Sequence, residues 1–357
     1  MYRREPFKPG LLERLPETPR KVAILRASRI GDFICATPAF RSIRTALPDA
    51  EITLITLPML REMAQRLPYI DHYASFPGYP GIAEQLFRAQ QAAGFFDQMQ
   101  KEGFDLAVQM QGSGINSNPF MLMVGARFTA GFIREGDPPG LLDAALPLPL
   151  AGHEIERVFA LPSFIGAPWF DHRIDFPLLP EDHQTADQML AGLEPPFIGL
   201  HPATRQLTRR WPIERFQEAG RQLQKRYGGT VIWIGEVEDR ERISQLISPD
   251  FPAVNLAGCT SLPVTGAVLT HLSAFITNDT GPAHIAYALS VPTVTIFGAG
   301  EPSRNGPFHE GPFRVMVHPV LCRPCSYEEC PIGYKCLDEI KTDAVVKAAS
   351  EIFSSPS

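Results

Sequence analysis

Asn278-Asp279-Thr280-Gly281-Pro282-Ala283-His284 decides how the rest of the chain is read. The apolar run Leu272 to Ile276 comes before it and is predicted to be a buried strand. Ile285-Ala286-Tyr287-Ala288-Leu289 comes after it and is predicted to be a helix. Gly281 permits a tight turn or a close backbone approach. Pro282 suits the first helical position, where the missing N–H is no loss. Strand, sharp loop and helix start together aim free N–H groups and the positive dipole end past the strand's carboxyl end, which suits an anion. Asp279, Thr280 and His284 crowd the same place. An ordinary strand-to-helix turn capped by Asp or Thr has the same local pattern.

Outward from this stretch the same alternation recurs. Lys21 to Leu25 is predicted as a strand, Phe33 to Ala46 as a helix and Glu51 to Thr56 as a second strand, a βαβ unit that implies a parallel, helix-covered sheet. A helix over 82–101 and a strand Phe104 to Gln109 follow, with 122–126 and 128–132 continuing the strand alternation. The segment 135–150 is heavy in proline, and a helix runs from His153 to Ile165. Residues 166–182, with Pro168, Pro177 and Pro180, are predicted to be an interdomain linker. The pattern restarts with strands at Phe197 to His201, Thr230 to Ile234, Ala253 to Leu256 and Pro292 to Phe297, and helices at 213–227, 238–247, 263–272 and 342–353. The expected domains are a loose arm at 1–20, a Rossmann-like domain at 21–175 and a second at 183–357. The loops at 26–32, 201–210, 235–238 and 278–284 then fall at strand carboxyl ends, where open α/β sheets bind ligands.

Composition narrows the function classes. With 44% hydrophobic and 20% charged residues the chain is ordinary globular protein, and a net charge of −6 argues against a general nucleic-acid binder. Residues 1–50 carry ten Lys/Arg against five acids, an excess open to an anionic partner or membrane surface, or simply to solvent. No apolar run of about 18 residues spans a membrane and no signal peptide is visible, so a cytoplasmic location is expected. Neither half carries Gly-x-Gly-x-x-Gly after its first strand, which argues against a dehydrogenase. Cys322, Cys325, Cys330 and Cys336 have a spacing open to four-thiolate zinc binding or to a self-sufficient loop, while Cys35 and Cys259 are expected to be packing residues.

Four motifs then coincide: Ile24-Leu25-Arg26-Ala27-Ser28-Arg29-Ile30-Gly31-Asp32 with Thr37-Pro38-Ala39; Ile198 to Ala203 with Arg209-Arg210-Trp211-Pro212; Asn255-Leu256-Ala257-Gly258; and Asn278 to His284 with Ala288 to Thr293 and Phe297-Gly298. In this order and spacing, over roughly residues 21–350, the chain resembles the family 9 glycosyltransferases, the ADP-heptose:lipopolysaccharide heptosyltransferase family. The resemblance implies an α/β GT-B fold: two facing Rossmann-like domains with parallel sheets and a cleft between them. It implies inverting transfer of a heptose or similar sugar from an ADP-sugar to a lipopolysaccharide-core or other lipid-linked saccharide, without an essential metal or other cofactor. It also implies work at the inner face of the inner membrane, with peripheral contact.

Single displacement needs a base for the acceptor hydroxyl, and Asp32 matches the family's proposed base, although an Asp there also suits a helix cap. The nucleoside diphosphate leaving group needs fixed positive groups. Arg209 stands where these enzymes usually carry a phosphate-binding Lys, a departure that keeps the charge, with Arg205 and Arg210 as neighbours and Thr204 as a further donor. The Thr280-Gly281 helix start is the other phosphate candidate, and Glu238, with Glu236 competing, is the ribose candidate. Asp279 is expected to contact the donor sugar or shape the phosphate loop, and His284 to face phosphate or fill the helix–sheet interface. Rival readings are the same chemistry with another donor or acceptor, and a GT-B sugar-nucleotide isomerase.

Overall fold

Short apolar, β-branched runs separated by amphipathic helices leave a chain one economical arrangement, a parallel sheet covered on both faces. The computed structural model of the protein describes residues 2–169, 171–248 and 251–353. The chain divides between Asp175 and Phe176 into two compact units. The first contains strands β1 Lys21–Leu25, β2 Glu51–Thr56, β3 His72–Ser75, β4 Leu106–Gln109, β5 Phe128–Ile133 and β6 Ala144–Pro147. The second contains β7 Phe197–His201, β8 Thr230–Trp233, β9 Ala253–Asn255, β10 Leu272–Asn278, β11 Thr293–Phe297 and β12 Phe313–Val317. The sheet orders are β3-β2-β1-β4-β5-β6 and β12-β11-β10-β7-β8-β9, and every pairing is parallel. Read from each unit's own first strand, both orders are 3-2-1-4-5-6, the doubly wound arrangement. The strand order reverses between β1 and β4 in one unit and between β7 and β10 in the other.

The central strands β1 and β7 are buried except at their first residues, and all seven residues of β10 are buried. In the second unit Trp211, Phe216, Leu223, Trp233 and Ile276 form the core, closed by Val345 and Ala349 of the last helix, Thr342–Glu351. In the first unit the helix Ile30–Ala46 carries Pro38 inside it. Proline lacks the N–H that would bond to the carbonyl of Ile34. The hydroxyl of Thr37 donates to that carbonyl at 2.8 Å, so the helix continues past the proline.

Several elements differ from the pattern expected from sequence. Residues 122–126 are not a strand; a helix, Ser117–Met123, ends there. Its buried positions Ser117, Phe120, Met121 and Val124 follow a three-to-four spacing, not alternation. The proline-heavy segment holds β6, which tolerates Pro147 because it is an edge strand. The helix expected from 82 starts only at Ala89: the Ile82 N–H closes a turn onto the Tyr79 carbonyl at 3.0 Å, and Arg88 is still extended. The helix Pro180–Leu190 begins inside the expected linker, burying Ala186 and Leu190 one turn apart, while the buried Asp182 accepts a 2.7 Å bond from the Leu179 N–H. Glu238 lies in a 3-10 turn, Val237–Asp239, and the helix proper is only Arg240–Ser244.

The first residues are not a loose arm. The carbonyl of Pro6 accepts a 2.7 Å bond from the Ala145 N–H, on edge strand β6. Tyr2 donates to Asp143 at 3.1 Å, and burial with that carboxylate pushes the phenol up to about 12. Leu11 is buried in a short helix, Leu11–Arg14. The arm thus covers a sheet edge that would otherwise present unpaired backbone groups. The basic excess of residues 1–50 is also largely consumed inside the unit. Arg26 is buried, Arg44 pairs with Asp71, Arg41 with Asp175, Lys8 with Glu5 and Lys21 with Glu102. Among the described residues no helix is long and apolar enough to cross a membrane. Leu11→Ala is expected to cost about 2–5 kcal/mol, read as a lower urea midpoint; a silent substitution would mean that the arm is loose after all.

Candidate active site

In each unit the loops at the point of strand reversal carry the polar residues. In the second unit the link starts at Asn278, the fully buried last residue of β10. Its amide nitrogen donates to the Pro202 carbonyl at 2.9 Å, and its amide oxygen accepts from the Trp211 N–H at 3.1 Å. One side chain therefore ties the end of β10 to both ends of the loop that follows β7. That loop contains a 3-10 turn, Leu207–Arg209. Arg209 Nη1 donates to Asp279 Oδ2 at 3.0 Å, with Asp279 buried and Arg209 about one-third exposed (31%). The buried carboxylate fixes the guanidinium, whose exposed part stays available to an anion.

The residues after Asp279 behave as the opening stretch suggested, with one shift. Thr280 is extended and stands at the N-cap, Gly281 is the first helical residue and Pro282 the second, in the helix Gly281–Ala288. The Thr280 hydroxyl makes no capping bond; it donates to the Asn278 carbonyl at 3.2 Å and lies 3.4 Å from His201 Nδ1. The Thr280 side chain therefore does not cap the helix, and the Ala283 N–H turns back to the Thr280 carbonyl at 3.1 Å. His284 is buried, its ring edge-on to Tyr287, which itself bonds to Thr295 on β11.

Sequence reasoning missed four members of this site. His201 closes β7 and is fully buried, its Nδ1 3.1 Å from the Thr277 hydroxyl. Burial pushes its ring down to about 4, so it is neutral near neutral pH. Asn278 opens the motif, and nothing beside it in the sequence marks its bridging role. Gly298 and Gly300 let the chain after β11 close in. A Cβ on Gly300 would stand 2.1 Å from Asp279 Oδ2, and one on Gly298 would stand 2.3 Å from the Thr208 carbonyl. The signal was present as Phe297-Gly298-Ala299-Gly300, but its partners are far away in sequence.

Of the other candidates, Thr204 is half-buried, and its carbonyl accepts from Arg210 Nη2, so Arg210 serves the loop itself. Arg205 is exposed. Glu236 and Glu238 are both exposed, and the turn after β8 is closed by Asp239, which accepts from the Glu236 N–H at 3.0 Å. The four clustered cysteines border one small pocket with Thr208, Gly298 and Ala299. Among the described residues no three His, Cys, Asp or Glu side chains gather in a metal-holding arrangement. The cysteine loop is joined to the Arg209 loop instead: the Thr208 hydroxyl donates to the Tyr327 carbonyl at 2.7 Å, and the Cys325 N–H to the Ala299 carbonyl at 3.0 Å.

In the first unit Asp32 is the third residue of the helix Ile30–Ala46, whose N-cap is Arg29, so it is not the cap. Its side chain is about half exposed (48%). Arg26, the residue after β1, is buried and donates to the Asp32 carbonyl through Nη2 at 3.1 Å and Nε at 3.3 Å. Its Nη1 reaches across to the Met110 carbonyl after β4 at 2.7 Å. Arg26 thus joins the two strands on either side of the reversal point.

With this geometry described, three comparisons bear on the chain. The profile of glycosyltransferase family 9 (heptosyltransferase) matches residues 93–335. The lipopolysaccharide core heptosyltransferase OpsX of Haemophilus influenzae is 23% identical, over 82% of this chain and 83% of its own length. Lipopolysaccharide heptosyltransferase 1 of Pseudomonas aeruginosa is 25% identical, over 87% of each. The solved ADP-heptose lipopolysaccharide heptosyltransferase II of Escherichia coli superposes with a TM-score of 0.74 at 21% identity, covering 93% of this chain and 98% of that one.

His201 makes a pH dependence testable. Its folded value lies below the usual 6.5, so the unfolded chain binds the extra proton first as pH falls. Stability from this group is intact above about 6.5, is lost between about 6.5 and 4, and changes no further below that. The loss totals on the order of 3 kcal/mol. Denaturant melts of wild type and His201→Asn should diverge in slope against pH across that window; parallel curves would mean that the ring titrates normally.

Proposed function

The chain belongs to glycosyltransferase family 9, and from that premise we propose that it moves a heptose, or a similar sugar, from an ADP-sugar to a lipopolysaccharide-core or other lipid-linked saccharide. The observation that carries the reading is the Arg209–Asp279 pair beside the uncapped start of Gly281–Ala288. A leaving nucleoside diphosphate gathers negative charge on its phosphates as the glycosidic bond breaks. Arg209, already oriented by a buried carboxylate, and the positive end of the helix meet that charge without reorganising. Transfer on this basis is metal-independent. Thr204, Thr280 and Gly281 serve the phosphates, His284 backs the helix start, and Glu238 takes the ribose hydroxyls. The ADP assignment draws on the named Escherichia coli relative.

The reaction is a single inverting displacement. Asp32 takes the proton of the acceptor hydroxyl as that oxygen attacks the anomeric carbon. Its half-exposed carboxylate in the first helical turn is open to an incoming hydroxyl. The first unit therefore carries the acceptor and the second the donor. The enzyme acts on the cytoplasmic side, in peripheral contact with the membrane that holds its acceptor.

Calorimetry with ADP, UDP and GDP tests the donor site. ADP is expected to bind. Arg209→Ala combined with Asp279→Asn, which avoids stranding the carboxylate, should weaken it about ten- to a hundredfold. Asp32→Asn should leave ADP binding unchanged and lower kcat by about 10²–10⁴. Binding of UDP or GDP in place of ADP would overturn the donor assignment, and an active Asp32→Asn would overturn the base.

A further inference from the structure

We propose that Glu154 is a positioning residue for Asp32, acting through Arg26; the inference rests on Asp32 being the base. Glu154 opens the helix Glu154–Ile165 and is 7% exposed, although it is a carboxylate. Its Oε1 accepts from Arg26 Nη2 at 3.2 Å, and its Oε2 from Arg157 Nη1. Arg157 is itself buried and donates through Nε to the Pro149 carbonyl at 2.6 Å. On the other side, Arg26 Nη2 stands 3.9 Å from Asp32 Oδ1. Charges therefore alternate along one line, Arg157, Glu154, Arg26, Asp32, with three of the four buried.

Burial makes this arrangement consequential. A buried guanidinium needs a counter-charge, and the interactions of buried charges are weakly screened. Without Glu154, more of the charge of Arg26 would fall on Asp32. The carboxylate would then be drawn to the guanidinium and become a weaker base. With Glu154 in place, Arg26 is shared between two carboxylates. Its bonds to the Asp32 and Met110 carbonyls can then hold the helix start while the Asp32 carboxylate keeps its basicity. Arg29 is exposed ahead of Asp32, and His153 caps the Glu154 helix, its Nδ1 accepting from the Ile155 N–H at 3.2 Å. Glu156 accepts from the His153 N–H at 3.1 Å. From β2 a neutral group arrives: the Thr56 hydroxyl donates to the Arg26 carbonyl at 2.7 Å.

The test is a carbon-13 NMR titration of the full chain labelled at aspartate carboxyls, with the Asp32 signal identified by its loss in Asp32→Asn. Glu154→Gln is expected to lower the Asp32 midpoint by on the order of one pH unit, and Arg26→Gln to raise it. Glu154→Gln should also lower kcat with donor KM unchanged. If the single variant folds poorly, Glu154→Gln with Arg157→Gln removes the stranded charge and should shift the midpoint in the same direction. A purely structural Glu154 would lower the melting temperature and leave the midpoint where it is, which overturns the inference while Asp32→Asn stays inactive. Turnover by Asp32→Asn would instead remove the base assignment, and the inference with it.

Discussion

The amide of Asn278 is the contact on which the second unit's site depends. It reaches two separate backbone groups, the Pro202 carbonyl and the Trp211 N–H, from the end of a fully buried strand. A buried amide with both ends satisfied fixes register, whereas one left unsatisfied costs free energy. Because the loop is pinned at both ends, its middle can form the turn that carries Arg209. Because Asn278 is pinned, the next residue, Asp279, arrives at that arginine already buried. Thr280 and the helix start follow in the chain with little freedom left.

The first unit solves the matching problem with charge. There the loops after β1 and β4 are joined by a guanidinium, Arg26, which bonds to both Asp32 and Met110. An amide is neutral and needs no counter-ion, but a buried guanidinium does. This explains why the first unit draws in Glu154 and Arg157 while the second needs nothing comparable at Asn278. The same doubly wound order, repeated in both sheets, puts its reversal point in the same place, and each unit holds it shut by different chemistry.

Much of this was legible in the residues. The central strands are short apolar runs, and their carboxyl-end loops carry the polar motifs, so the alternation and the site loops could be read directly. What escaped has common causes. Edge strands β6 and β12 are short and only partly buried, so their apolar signal is weak. Residues 122–126 resemble a strand because they continue an apolar run of five, Phe120 to Val124, and a short apolar run does not declare its period. The arm looked loose because its partners, Asp143 and Ala145, lie far along the chain. Glu154 was seen only as part of a helix opening, since its link to Arg26 spans 128 residues. Arg209, Asp279 and Asp32 were named from their motifs, but only the structure shows that Asp279 holds Arg209 and that Asp32 sits inside the helix.

We propose that this site transfers a sugar from an ADP-sugar with inversion. NMR of the product formed from ADP-heptose and a lipid-linked inner-core saccharide tests it most directly, through the anomeric configuration of the new linkage. Inverting transfer gives stoichiometric release of ADP and a linkage of opposite anomeric configuration to the donor. Retention of configuration would contradict single displacement by an Asp32-activated hydroxyl, and a rearranged sugar nucleotide with no acceptor product would contradict transfer itself.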